Sequence, residues 1–208
     1  MDKVLKKQAT AMKGNQHTIS LPHGPVETIN DMVGADMIVS AREAIYESSE
    51  VRNNWEAWVQ ALEEGDYQQD SVGGVLKRMK GPQYSHFCCL GVACDLQGVS
   101  WKVDEMNGIY LYNPELGGGS RDCLPDHDLM NRAFGVVKES TSDEGNDVYL
   151  IAKYRDGGKY RTGLITASGA NDDHVPFETI AKAIRNTYLN PVYERMGRHH
   201  MINQPNGY

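Results

Sequence analysis

The sequence predicts an α+β fold, a single domain in which helices pack a small antiparallel sheet of hairpins. Three observations predict it. Apolar residues recur at three- and four-residue spacing through about Leu96 and again after Pro176, the period of a buried helix face. From Trp101 the period changes to two. Two turn sequences, Asn107-Gly108 and Arg155-Asp-Gly-Gly-Lys159, each stand between alternating runs. Helices, then hairpins, then a helix is the order of an α+β chain.

The bulk composition fits one globular domain: 208 residues, 40% hydrophobic and 24% charged. No apolar run reaches the roughly eighteen residues of a membrane helix, so no membrane partner is expected. Residues 1–8 carry lysines without an apolar core behind them, so no secretory signal is expected and the location is cytoplasmic. Four cysteines, two of them adjacent, read as reduced thiols of a cytosol. The formal charge of −7 is unevenly placed: residues 1–25 carry +3 and residues 185–208 carry +2, leaving −12 between them. So acidic a body repels a phosphate backbone, and general nucleic-acid binding is not expected.

Four segments follow. Residues 1–24 are a polar arm. Residues 25–50 are a helical N-terminal extension opened by Pro25, with Ile29, Met32, Val33, Met37, Ala41, Ala44 and Ile45 at helical spacing. Residues 51–190 form the α+β core, and 191–208 a polar tail. Within the core, Asn53 or Asn54 caps a helix whose inner face is Trp55, Trp58, Val59 and Leu62, and Gly65 stops it. Tyr67 to Lys80 is a polar turn and a short apolar segment broken at Gly81-Pro82. Cys88 or Cys89, Val92, Ala93 and Leu96 form a short helix, apolar nearly all round and therefore buried, with Gly98 at its end. The two hairpins follow, separated by a Gly117–Ser120 loop, a short helix from Leu124-Pro125 to Phe134 and an acidic loop over 140–147. After a further loop, Pro176 opens the last helix, whose inner face is Phe177, Ile180, Ala181, Ile184 and Tyr188.

Landmarks over about residues 55–185 are Trp58-Val-Gln-Ala-Leu62, Gly65-Asp-Tyr-Gln68, Cys88-Cys-Leu-Gly-Val92, Leu124-Pro125 and Asn171-Asp172 followed by Phe177-Glu-Thr-Ile-Ala181. In these the chain resembles a family of small uncharacterised proteins common in tailed bacteriophages and some bacteria. The cysteine motif is the specific part. The resemblance implies a phage origin and an accessory role, and no reaction.

The sharpest catalytic candidates are Cys88 and Cys89, because a thiol at a helix N-terminus is favoured as thiolate. A hydrolase or transferase built on either would need a base, and His127 or His174, each beside aspartates, are the candidates. Against this, the segment is apolar all round and Gly91 permits close backbone approach, which is the pattern of a packed interior helix. The cysteine and histidine spacings do not pair as zinc ligands do, so no metal is expected. Neither glycine-rich loop has phosphate-loop spacing, and no cofactor is expected. Trp55 and Trp58 are core residues first and a cleft or interface lining second. Tyr110, Tyr112, Tyr149, Tyr154 and Tyr160 alternate along strands, as one exposed aromatic face would; Trp55, Trp58, Tyr110, Tyr112 and Tyr154 are thus the candidate binding residues.

The expected function is that of a non-catalytic phage accessory protein in the host cytoplasm. It would bind a host protein or a small molecule, in host takeover or counter-defence. A cysteine-dependent hydrolase or transferase is the first alternative and a virion structural component the second.

Overall fold

The computed structural model describes residues 31–81, 84–112, 123–137, 146–156 and 159–189. The arm (1–24), the start of the helical extension (25–30), the Gly117–Ser120 loop, residues 140–145 of the acidic loop and the tail (191–208) lie outside them.

Helices α1 (Asp31–Glu47) and α2 (Ser49–Glu64) are separated by a single residue. Ser48 is in extended geometry; its N–H still bonds Ala44 O, while its hydroxyl accepts from Val51 N at 3.3 Å. One residue thus closes one helix and caps the next, so the caps expected at Asn53 or Asn54 are corrected to Ser48. The Ser48 hydroxyl satisfies an orphan N–H two turns before the tryptophan face begins. Asn54 lies inside α2 and donates to Ala133 O at 3.0 Å. The stop at Gly65 is as expected, in the left-handed region at φ 76°.

Three short strands follow: β1 (Gln68–Gln69), β2 (Lys77–Met79) and β3 (Ser85–Phe87). Then come α3 (Cys89–Leu96) and the hairpin of β4 (Trp101–Asp104) and β5 (Ile109–Tyr112). The five strands make one sheet in the order β1-β3-β2-β5-β4, parallel between β1 and β3 and antiparallel elsewhere. The β4–β5 register pairs Asp104 with Ile109, so Asn107-Gly108 ends a four-residue turn in which Asp104 accepts from the Met106 and Asn107 N–H groups. Gly108 takes the positive φ, 66°, that this turn demands.

Helix α4 (His127–Phe134) is capped by Asp126, whose carboxylate accepts from Leu129 N at 2.9 Å. The second hairpin, β6 (Tyr149–Asp156) and β7 (Lys159–Thr166), stands as a separate two-stranded sheet. The fold is α+β as expected, but the two hairpins do not share one sheet, and the larger sheet is mixed. The expected loop before Pro176 holds a six-residue helix, α5 (Ala167–Asp172), capped by the Thr166 hydroxyl. Helix α6 (Phe177–Ile184) continues into a π-helical turn, Arg185–Leu189.

One core joins these elements. Trp55, Trp58, Val59 and Leu62 of α2 are buried against α3, α4 and α6. Trp55 stacks on Tyr188 at 4.2 Å between ring centroids and meets the edge of Phe134 at 5.3 Å. Helix α1 adds Met37, Ile38, Ala41 and Ile45 to the same core. It is tied down by Arg42 Nε, which donates to Thr187 O at 2.5 Å.

Candidate functional site

Helix α3 starts at the junction of the sheet and α5, and both are bonded to its first residues. Cys88 is the N-cap: its Sγ accepts from Gly91 N at 3.3 Å, and its own N–H donates to Leu76 O at 3.0 Å. Cys89 N donates to Asn171 Oδ1 at 3.3 Å, Cys89 Sγ to Ala167 O at 3.3 Å, and Cys89 O accepts from the Trp58 indole at 2.9 Å. Gln69 Nε2 donates to the same Asn171 oxygen and to Val175 O. Asn171 is wholly buried, and its amide nitrogen finds no partner among the described residues. The clamp therefore holds one unpaired amide NH2 group, at a cost of about 1–3 kcal/mol. Trp58, Cys88-Cys89 and Asn171, three of the landmarks quoted from distant parts of the sequence, meet at this point.

The chemistry here is that of a sealed thiol. Cys88 is 4% exposed and Cys89 and Cys94 are 0% exposed. Burial pushes the Cys88 thiol from its ordinary 9.0 up to about 12. The Gly91 and Leu90 N–H groups pull the other way, as a helix start does, but burial outweighs them. Burial likewise raises Cys89 and Cys94, and the Asp147 carboxylate adds to the effect at Cys89. His127 is the half-buried first residue of α4, and His174 is exposed in a left-handed turn after α5 at φ 59°. An imidazole reaching in from solvent would find the sulfurs of Cys88 and Cys89 covered.

Two measurements check this. Iodoacetamide at neutral pH is expected to label Cys123, which is exposed, and to leave Cys88, Cys89 and Cys94 untouched until the chain is unfolded. Peptide mass spectrometry showing native labelling of Cys88 or Cys89 would contradict it. Second, the unfolded chain releases the Cys88 proton near pH 9.0 while the folded chain holds it to about 12, so stability is full below that window and falls as pH rises through it. Melting temperatures are expected to decline from about pH 9 upward, and less steeply in Cys88→Ser, which keeps a capping oxygen without the titrating thiol. An identical decline in the variant would remove Cys88 as a cause.

The aromatic candidates divide. Trp55 and Trp58 are 0% exposed, their indoles donating to Phe134 O and Cys89 O, so they offer no surface to a partner. Tyr112 is buried and its hydroxyl bonds both the N–H and the carboxylate of Asp126. Tyr149 stands in the other sheet from Tyr110, so the single exposed tyrosine face does not form. Tyr154 lies in β6 and Tyr160 in β7, but their side chains lie outside the described residues.

Tyr110 is the candidate that the structure leaves half-open, and it belongs to a group sequence reasoning missed. The Lys77 ammonium lies 4.7 Å from the Phe87 ring centroid, 5.0 Å from Trp101 and 4.8 Å from Tyr110. Its fourth side is Asp95 of α3, with Nζ to Oδ1 at 3.2 Å. Asp95 is itself held by the Trp101 indole at 2.7 Å and the Tyr67 hydroxyl at 3.0 Å. Burial and the adjacent Asp95 carboxylate push the Tyr67 phenol up to about 12. The only sequence signal was the alternation along β4 and β5, which covers Trp101 and Tyr110 but neither Lys77 nor Phe87. Cross-strand register, Lys77 opposite Phe87 and Trp101 opposite Tyr112, puts the rings on one face.

Among the described residues, no group of three or more His, Cys, Asp or Glu is placed to hold a metal ion, and no helix is long and apolar enough to cross a membrane. A family model described as domain of unknown function (DUF8296) matches residues 49–188, and the chain belongs to that family. No curated protein and no solved structure matches it.

Proposed function

We propose that this DUF8296 member is a non-catalytic phage accessory protein that acts in the host cytoplasm by binding a host protein or a small molecule. One observation carries the reading: the thiols at the start of α3, the most reactive groups of the site, are buried, pushed toward the protonated form and bonded into the scaffold. What remains near the surface is recognition chemistry. The end of β2 and the start of β3 lie beside the β4–β5 turn, with Met79 N donating to Gly108 O at 2.9 Å. They present Met106 at 96% exposure and Tyr84 at 70%, and β4 adds a half-open Val103. Apolar side chains so displayed on a small sheet are the makings of a contact edge. The phage setting and a role in host takeover or counter-defence rest on the Cys-Cys-Leu-Gly-Val resemblance, and the acidic body speaks against a nucleic-acid target.

The test is affinity capture from host lysate with the unaltered chain and with a Tyr84→Ser, Met106→Asp double variant, together with native mass spectrometry for a retained small molecule. A specific host protein lost from the double variant, or a defined small-molecule adduct, is the expected result. Thiol-dependent turnover abolished by Cys89→Ser would replace the reading with an enzyme.

A further inference from the structure

We infer that the Lys77 box is a receptor for a quaternary or methylated ammonium group, with Lys77 as its built-in occupant. The inference rests on the binding reading above and names a ligand class for it. Three rings from three strands, Phe87 of β3, Trp101 of β4 and Tyr110 of β5, surround one nitrogen within the reach of cation–π attraction. Asp95 supplies the compensating charge.

The walls do not depend on the occupant. Phe87 is held edge-on by Tyr67 at 4.9 Å, Trp101 by Tyr112 at 5.8 Å and by Tyr110 at 6.5 Å, and Asp95 by Tyr67 and Trp101. A box so braced keeps its shape when the lysine swings out, which is the preorganisation a ligand site needs. The box touches solvent: the Lys77 side chain is 13% exposed and that of Asp95 27%, and Trp101 and Tyr110 are only half-buried.

The lining also suits a different cation better than the one it holds. A primary ammonium has three N–H donors, and among the described residues Lys77 places one, on Asp95. Its other sides face ring π-clouds, which attract charge but replace hydration of a strongly hydrated ammonium poorly. A quaternary ammonium has no N–H to satisfy and gains from all three rings. Lys77 then acts as an internal competitor that an entering ligand must displace, lowering apparent affinity by the fraction of time that the box stands open.

The experiment uses the full chain and tetramethylammonium chloride, with sodium chloride as the ionic control. Binding is read by calorimetry and by the Trp101 indole N–H resonance. Lys77→Ala, which empties the box, is expected to bind about tenfold more tightly than the unaltered chain. Lys77→Met, which refills the box with an uncharged stem, is expected to show no gain, and Tyr110→Ala in the Lys77→Ala background to lose binding. Equal binding by the Ala and Met variants overturns the inference. Should Lys77→Ala fail to fold, the unaltered chain decides: its Trp101 resonance must move with millimolar tetramethylammonium and not with sodium, and a stationary resonance overturns the assignment. A peptide carrying trimethyllysine, compared with its unmethylated form, separates the sources. Tighter binding of the methylated peptide than of tetramethylammonium assigns the box to a protein partner, and equal binding assigns it to a small quaternary ammonium. An inert box leaves host capture through Met106 and Tyr84 standing, whereas a working box in an unaltered chain that captures no host protein sinks only the contact edge.

Discussion

Gly91→Ala is expected to destabilise the protein by about 3 kcal/mol, although alanine is the better helix former by about 1 kcal/mol. A Cβ built on Gly91 would lie 1.8 Å from Leu76 O and 2.7 Å from the Leu76 carbonyl carbon. Neither is the tip of a mobile side chain. The same carbonyl accepts the Cys88 N–H at 3.0 Å, so α3 is pressed directly against the peptide that leads into β2. Relief requires moving α3 or the strand, and either motion breaks the Cys88 bond or shifts Lys77 in its box. At this chain length the loss reads as a fall in Tm of about 6–12 °C, accompanied by a displaced Trp101 indole resonance. An unchanged Tm would mean that the Leu76 peptide yields freely.

Trp58→Ala is expected to cost about 4–5 kcal/mol, a large part of the 5–15 kcal/mol typical of a whole domain. The indole is wholly buried, 5.4 Å from Trp55 and 5.5 Å from Phe134 between ring centroids. Its removal leaves a cavity that two braced rings cannot collapse into. It also takes the donor from Cys89 O, at the point where α3, α5 and β1 are tied through Asn171. Trp58→Phe fills most of the volume and loses the hydrogen bond, so about half the effect is expected. Urea unfolding measures both, with a shifted midpoint and an unchanged slope. Equal losses in the two variants would assign the whole effect to the Cys89 bond and none to packing.

The parts of this architecture that were legible are those with a strong local cause. The α2 face repeats Trp55, Trp58, Val59 and Leu62 at helical spacing, and all four are buried. Pro176 stands at the start of α6, as its ring predisposes it to. Strands β1, β2 and β3 were not legible, because two or three residues are too few to display a period of two. Nor was α5, whose Ala-Ser-Gly-Ala-Asn-Asp has weak helix propensity and depends on Thr166 and Asp147 for its first turn. Ser48 prevailed over Asn53 and Asn54 as a cap because α1 ends there, a fact about the neighbouring helix.

The site follows the same division. The buried character of Cys88, Cys89 and Cys94 was written in a helix with no polar face, and the close approach at Gly91 followed from its missing side chain. Those are properties of a short stretch of chain, which carries them wherever it packs. Which groups meet the segment was another matter. Cys89 finds Asn171 across 82 residues and Gln69 finds it across 102. Lys77 meets its three rings only because β3 and β5 flank β2. Periodicity and turn chemistry act within a few residues, so the amino-acid order alone settled what is inside. Strand order and register act between distant ones, so tertiary pairing alone decided which groups close over the thiols and that a lysine sits within an aromatic box.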